Sequence, residues 1–329
     1  MSADARPPCR IGFHASHEQF APSRLLELAQ RAEAAGFEVL FSSDHFHPWS
    51  TRQGQSGFSF AWLAAALQAT SLPARSICCP FGRYHPAVVA QAAATLAEMF
   101  EGRYALALGS GQALNEHITG QSWPVKSARN EKLAASADII RALWRGETVS
   151  RTDAIAVEDA TLFTRPKSTP LLLGAAVTDE TAAWLGAWAD GLLTTSRPPE
   201  DTARIIKAFR FAGGTSKPVY LKVGLSYART EAEALAQAHA QWGNCAFANS
   251  VLTEIRTTAE FDEIGKKVRP EDLREGIRVS ADLDQHIRWI QADIAAGFSE
   301  IFLHNVGPNQ EEFIAAFGRH VLPALNRAR

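Results

Sequence analysis

Short apolar runs alternate with longer amphipathic stretches along most of this chain. That rhythm belongs to β/α units, in which parallel strands are separated by helices packed against the sheet. Runs at Arg10–Ala15, Glu38–Ser43, Ala74–Cys79, Tyr104–Gly109, Leu171–Gly174, Gly191–Thr195, Pro218–Ser226 and Glu300–His304 predict eight strands. Leu171–Gly174 is wholly apolar, as expected of a strand covered on both faces. Helices are predicted at Pro22–Ala35, Phe60–Thr70, from Pro86, at Arg129–Arg145, Glu231–Trp242, Asp282–Ala296 and Gln310–Asn326. Pro86 suits a first helical position, where a missing N–H costs nothing. Two stretches break the rhythm. Thr148–Phe163 is polar and predicts a hairpin, and Asn244–Ala281 predicts a helical insertion without a clear strand. No Pro/Gly/Ser linker divides the chain. The expectation is one α/β domain over 1–329, a (β/α)8 TIM barrel with insertions at about 147–168 and 244–281. An open doubly wound sheet is the alternative.

Composition excludes several classes. Lys and Arg total 33 against 35 Asp and Glu, so the net charge of −2 offers no general grip on nucleic acid or anionic membrane. The longest apolar runs, such as Ala61–Leu67, are far too short to span a bilayer. Met1–Cys9 has no apolar signal core. Cys9, Cys78, Cys79 and Cys245 contain no CxxC pair, so neither a disulfide framework nor a thiolate zinc site is expected, and a reducing cytoplasm fits.

A barrel of this kind places its chemistry at the C-terminal ends of the strands. Those ends carry His14, His17 and Glu18, then Asp44 to Trp49, then Ser76 and Cys79, then Gly109 to Glu116, Thr194 to Ser196, and His304 with Asn305. The His45-x-His47 pair invites a metal reading. Strands five and six end without His, Asp or Glu, and Asp44 can simply orient the imidazole beside it, so no metal is expected. The Gly109-Ser110-Gly111 turn lets backbone approach a planar ligand, although the full dinucleotide fingerprint fails at Leu114. The turn from Gly174 to Thr178 opens a helix with Asp179 and Glu180. It reads equally as an anion site or as a capped helix with acids in its first turn.

Four motifs in order, IGFHASHEQFAP, SSDHFHPWS, FGRYHPAVVAQAAATLAEMF and GSGQALNEHITG, resemble the luciferase-like flavin and deazaflavin oxidoreductases. More narrowly they are similar to the subgroup containing coenzyme F420-dependent glucose-6-phosphate dehydrogenase. The likeness is dense from Arg10 to Trp144 and weaker beyond. It implies a (β/α)8 barrel, a homodimer, and a cofactor ring at the barrel mouth. Asp44 and His45 match the pair beside the reactive face of the ring, with His45 as base or hydrogen-bonding partner for the substrate. Trp49 matches an aromatic on the substrate side, and Glu18 an active-site acid. Ser76–Ile77 matches a non-proline cis peptide behind the ring, Cys79 a position at its polar edge, and Asn115 a cofactor-contacting Asn. Gly111 belongs to the ring-side turn, and Ala175, Ala176 and Val177 to the turn that contacts the cofactor phosphate.

Departures from the resembled pattern shape the functional expectation. Gln112 stands where the pattern has an acid, and an amide cannot relay a proton. Ala176-Val177 replaces a Gly-Gly turn. Pro198 replaces a phosphate-binding Lys, with Arg197 adjacent but shifted. Glu263 and Gly276 fall where basic residues are expected, with Lys266, Lys267 and Arg278 near them. A phosphate dianion needs such donors, so glucose 6-phosphate is not the expected substrate. The balance favours FMN, which asks less of the altered side of the site, with coenzyme F420 as the alternative. The expected activity is oxidation or reduction of a small organic substrate, or monooxygenation fed by a separate flavin reductase. The alternatives are an F420-dependent dehydrogenase or reductase and a catalytically silent flavin-binding protein.

Overall fold

The computed structural model describes residues Pro8–Arg327. The expectations about Met1–Pro7 lie outside it, as does the side chain of Cys245. Eight strands form the barrel: β1 (Arg10–Ala15), β2 (Val39–Ser43), β3 (Ala74–Cys78), β4 (Tyr104–Leu108), β5 (Leu172–Ala175), β6 (Leu192–Thr195), β7 (Val219–Ser226) and β8 (Glu300–Asn305). Each pairs in parallel with its neighbours, and β8 closes the ring against β1. The predicted strands lie within a residue or two of these bounds. The polar stretch after the fourth unit is an antiparallel hairpin of Val149–Arg151 and Val157–Ala160. The region 244–281 is largely helical, but the expectation of no strand there is corrected: Arg278–Val279 pairs with the end of β7. The last predicted helix is interrupted by a π turn at Phe317–Val321. Among the described residues no helix is long and apolar enough to cross a membrane.

Alternation along each strand decides what the barrel holds. Val39, Phe41, Ala107, Leu173, Leu193, Tyr220 and Phe302 meet in the interior. Their neighbours Leu40, Leu106, Ile301 and Leu303 face the helices. The interior is tight. Phe41 and Phe302 stack at 4.6 Å, and a Cβ added to Gly12 would come within 2.7 Å of both Phe302 and Val39. Glycine on β1 is therefore a packing requirement of this layer.

The lower end of the interior is closed by charge. Arg75 donates from Nε and Nη2 to the two oxygens of Glu300, each at 3.0 Å, and Arg10 joins the same carboxylate. Glu300 is 1% exposed and Arg75 5% exposed, so water screens this pair little. On the helix side of the upper end, His17 Nε2 lies 2.9 Å from Ser42 Oγ, which lies 2.7 Å from Ser59 Oγ. Trp62 packs edge-on against the same imidazole at 4.9 Å. Burial is the main force lowering the pKa of His17, to about 4, against the opposing pull of Glu18 and Asp44.

Two stability predictions follow from these buried groups. Glu300→Ala leaves the Arg75 guanidinium without its partner and is expected to cost about 3–5 kcal/mol in chemical denaturation. A loss below about 1 kcal/mol contradicts the assigned role of the pair. His17 has a folded pKa below its unfolded value, so its contribution is complete above about pH 6.5 and is lost as pH falls toward about 4. The full loss is on the order of 3 kcal/mol. Urea denaturation from pH 7.5 down to 4.5 should show that decline, and His17→Phe should flatten it. A slope unchanged in the variant contradicts the assignment to His17.

Candidate active site

The interior opens at the C-terminal ends of the strands into a cavity of about 530 Å³. The same alternation selects its lining. His14 follows Gly12 on the inner face of β1, Ile77 follows Arg75 on β3, and Lys222 and Gly224 follow Tyr220 on β7. Ser76 therefore points the other way. Its Oγ lies 2.6 Å from the Tyr104 phenol oxygen on the helix side of the sheet, and Ser76 is absent from the cavity lining. The Ser76 side chain, expected at the cofactor, therefore faces away from the cavity. The expected cis peptide at Ser76–Ile77 is corrected, because every peptide bond among the described residues is trans.

Glu18 and His45 meet at the cavity wall. Glu18 lies in the turn after β1, 1% exposed, and its carboxylate contacts His45 Nδ1. Ser16 Oγ donates to the other carboxylate oxygen at 2.9 Å. Burial opposes the charge of Glu18, but His45 beside it holds the carboxyl far below the ordinary range. Asp44 does not orient His45, contrary to the sequence expectation. Its carboxylate accepts from Arg83 Nη2 at 2.6 Å, and its backbone carbonyl accepts from the same nitrogen at 2.7 Å. Asp44 still lines the cavity, but the carboxylate on the imidazole is Glu18.

The segment that carries His45 is fixed from several sides. Asn115 Oδ1 accepts from the backbone N–H of Phe46 at 2.9 Å and of His47 at 3.2 Å. Ser56 Oγ donates to the His45 carbonyl at 2.7 Å. Trp49 stands edge-on to His45 at 5.2 Å and to Phe261 at 5.2 Å. Phe261 comes from the insertion, and the next residue, Asp262, accepts from Ser50 Oγ at 2.7 Å and from Thr51 N at 3.2 Å. His47 turns away, with Nδ1 2.9 Å from the Leu114 carbonyl. The two histidines therefore serve different partners.

The cavity is also lined by Ile77, Cys79, Gly111, Gln112 and Asn115, and by Ala175, Ala176 and Val177. Gly111 has φ +76°, and an added Cβ would lie 2.7 Å from Cys79 Sγ, so only glycine fits. Burial pushes the thiols of Cys78 and Cys79 well up, and Cys79 donates to the Phe81 carbonyl at 3.1 Å. Both are packing thiols rather than nucleophiles. Asn115 Nδ2 donates to Gln112 Oε1 at 3.3 Å. At the helix after β5, Thr178 Oγ1 accepts from Thr181 N at 3.3 Å, which favours the capped-helix alternative.

Sequence reasoning missed Lys222 and Trp242, which line the cavity with Lys222 Nζ 5.2 Å from the Trp242 ring centre. A lysine at every-other-residue spacing inside predicted strand seven was the available signal. His14 and His304 stack at 4.3 Å beside them. Burial first pushes the pKa of both imidazoles well down, aided by His304 and Lys222 at His14 and by Lys222 at His304. Of the basic residues near the expected phosphate positions, Arg197 lines the cavity, whereas Lys266 and Arg278 are engaged elsewhere. Lys266 pairs with Glu263 at 2.5 Å, and Arg278 pairs with Asp293 at 2.5 and 2.9 Å. Gly276 reaches the cavity beside Glu275 and Asp272.

Comparison with known proteins fits this architecture. The chain is 33% identical to the F420-dependent glucose-6-phosphate dehydrogenase of Nakamurella multipartita, over 97% of each chain. It is similar in structure, at a TM-score of 0.89 and 29% identity, to an F420-dependent secondary alcohol dehydrogenase solved with an F420–acetone adduct, covering 97% of this chain and 99% of that one. At greater distance it shares the fold of the oxygenating constituent of 3,6-diketocamphane monooxygenase from a Pseudomonas putida plasmid, solved with FMN. There the TM-score is 0.68 at 14% identity, covering 96% of this chain and 99% of that one. The family model described as luciferase-like monooxygenase matches residues 8–300, and with that match the chain belongs to the luciferase-like monooxygenase family.

Proposed function

We propose that this oxidoreductase is a coenzyme F420-dependent dehydrogenase or reductase for a small, non-phosphorylated alcohol or carbonyl compound. The observation that carries the reading is the Glu18–His45 pair beside Trp49 in a cavity that small and apolar residues such as Ile77, Cys79, Gly111, Ala175 and Ala176 also line. The named relatives at 29–33% identity are F420-dependent, whereas FMN accompanies a likeness of 14% that speaks for the fold alone. The lean toward FMN drawn from the sequence gives way on that ground.

The residues present fit a flat ring with a polar edge. Ile77, Cys79 and the glycine turn at Gly111 offer a smooth wall, and Gln112 an amide at its margin. Ala175, Ala176 and Val177 carry side chains no larger than valine, and the lining runs on to Arg197 and Pro198. When bound, a deazaflavin supplies the hydride acceptor or donor. The protein supplies position and proton handling. Glu18 engages Nδ1 of His45 and leaves Nε2 for the substrate hydroxyl. A proton taken there makes an imidazolium that faces a buried carboxylate. The acids at Asp272 and Glu275 oppose a phosphorylated substrate. We also infer a homodimer, supported by Phe46, Phe58 and Val88, which are 51%, 54% and 54% exposed on the segments that follow β2 and β3. A separate flavin reductase belongs only to the FMN monooxygenase reading.

Titration of the purified protein with each cofactor, followed by anaerobic turnover, tests the proposal. F420 should bind at least about tenfold more tightly than FMN. Secondary alcohols or ketones should turn over, and glucose 6-phosphate should be slower by about a hundredfold or more in kcat/KM. His45→Ala should lose about 10²–10⁴ in kcat with F420 affinity held within about threefold. Preferential FMN binding with oxygen-dependent turnover contradicts the reading. Unchanged turnover in His45→Ala contradicts the assigned role of the histidine.

A further inference from the structure

Three carboxylates are almost wholly buried here: Glu18 on the His45 imidazole, Asp44 next to His45 in sequence, and Glu116, which shares Arg83 with Asp44. Glu18, Asp44 and Glu116 have side-chain exposures of 2%, 1% and 3%. Such a group cannot remain charged without partners. One guanidinium serves two of them. Arg83 Nη2 holds Asp44 at 2.6 Å, Arg83 Nε lies 3.4 Å from Glu116, and the Arg83 backbone N–H donates to Glu116 Oε2 at 2.9 Å. The surroundings are built for this arrangement. Gly82 has φ +91°, and a Cβ there would lie 2.7 Å from Glu116 Oε2. Tyr84 lies under the guanidinium at 4.5 Å.

We propose that Arg83 is a positioning residue that sorts these carboxylates, engaging Asp44 and Glu116 so that Glu18 alone pairs with His45. The inference rests on the reading of His45 as the group that handles the substrate proton. Arg83 touches neither the imidazole nor the proposed ligands. It acts through Asp44, the residue next to His45, and it joins the segments that follow β2, β3 and β4. The titratable groups that act on His45 are Glu18 and His17 from the segment after β1, with Asp44 next to it in sequence; Arg83 from the segment after β3 and Glu116 from that after β4 connect to it through Asp44. The insertion contributes Asp262, which is spent on Ser50 and Thr51. Against burial, Asp44 and Glu116 keep Arg83 charged.

The test follows the His45 imidazole by NMR in the cofactor-free, full-length protein, with His45→Ala to assign the signal. Arg83→Met unmasks the Asp44 charge and should move the titration midpoint up by about 0.5–1 pH unit. Asp44→Asn leaves the cation and should move it down. The Arg83→Met/Asp44→Asn double variant removes the Asp44 charge that Arg83→Met unmasks, with Glu116 still deprived of its cation, and should shift less than half as far as Arg83→Met. Arg83→Lys keeps a cation and should shift less than half as far as Arg83→Met. In turnover, Arg83→Met should lower kcat about tenfold with KM within about twofold. Equal midpoints in all folded variants overturn the proposal, as does a double variant that keeps the shift of either single one. The NMR readings need no cofactor, so a wrong cofactor assignment leaves them intact. Should Arg83→Met fail to fold, Asp44→Asn and the double variant carry the same test.

Discussion

A charged carboxylate with almost no access to water is the constraint around which this site is arranged. Glu18 is 1% exposed, and its charge survives burial because His45 and Ser16 face its two oxygens. A misplaced imidazole would leave that charge buried and uncompensated, a cost of several kcal/mol. The segment after β2 is therefore held at almost every residue: by Arg83 at Asp44, by Ser56 at His45, by Asn115 at Phe46 and His47, and by Asp262 at Ser50 and Thr51. Position and electrostatics depend on one another here.

The barrel supplies this arrangement through a single geometric rule. Strand alternation sends Arg10, Gly12 and His14 inward from β1, and Glu300, Phe302 and His304 inward from β8. One strand thus provides a charge at the closed end, a packing position in the middle and an imidazole at the open end. The insertion over 244–281 braces the segment after β2 through Phe261 and Asp262 and adds other side chains to the lining.

Much of this was legible in the sequence because both signals are local. Eight apolar runs at β/α spacing define the strands, and several polar residues just beyond them, Glu18, Asp44, His45, Gln112 and Asn115 among them, reach the cavity. The errors share a different origin. Asp44 adjoins His45 in sequence, but a buried arginine on the next segment claims its carboxylate, and such a tertiary competitor has no local signature. Ser76 was assigned by motif, while the pleat sends it toward Tyr104. Lys222 lies inside an otherwise apolar strand, where only the inward or outward phase distinguishes a cavity residue from a helix-facing one. The cofactor depends on the whole cavity, which Gln112 and Ala176-Val177 could not define from their identities alone.

The central claim is that Glu18, rather than Asp44, is the carboxylate through which His45 works. Substituting Glu18→Gln and measuring both F420 affinity and the rate of its substrate-dependent reduction tests this most directly. The account predicts a fall in rate of about a hundredfold or more, with the dissociation constant for F420 held within about threefold. A folded Glu18→Gln protein that turns over at the wild-type rate would contradict it.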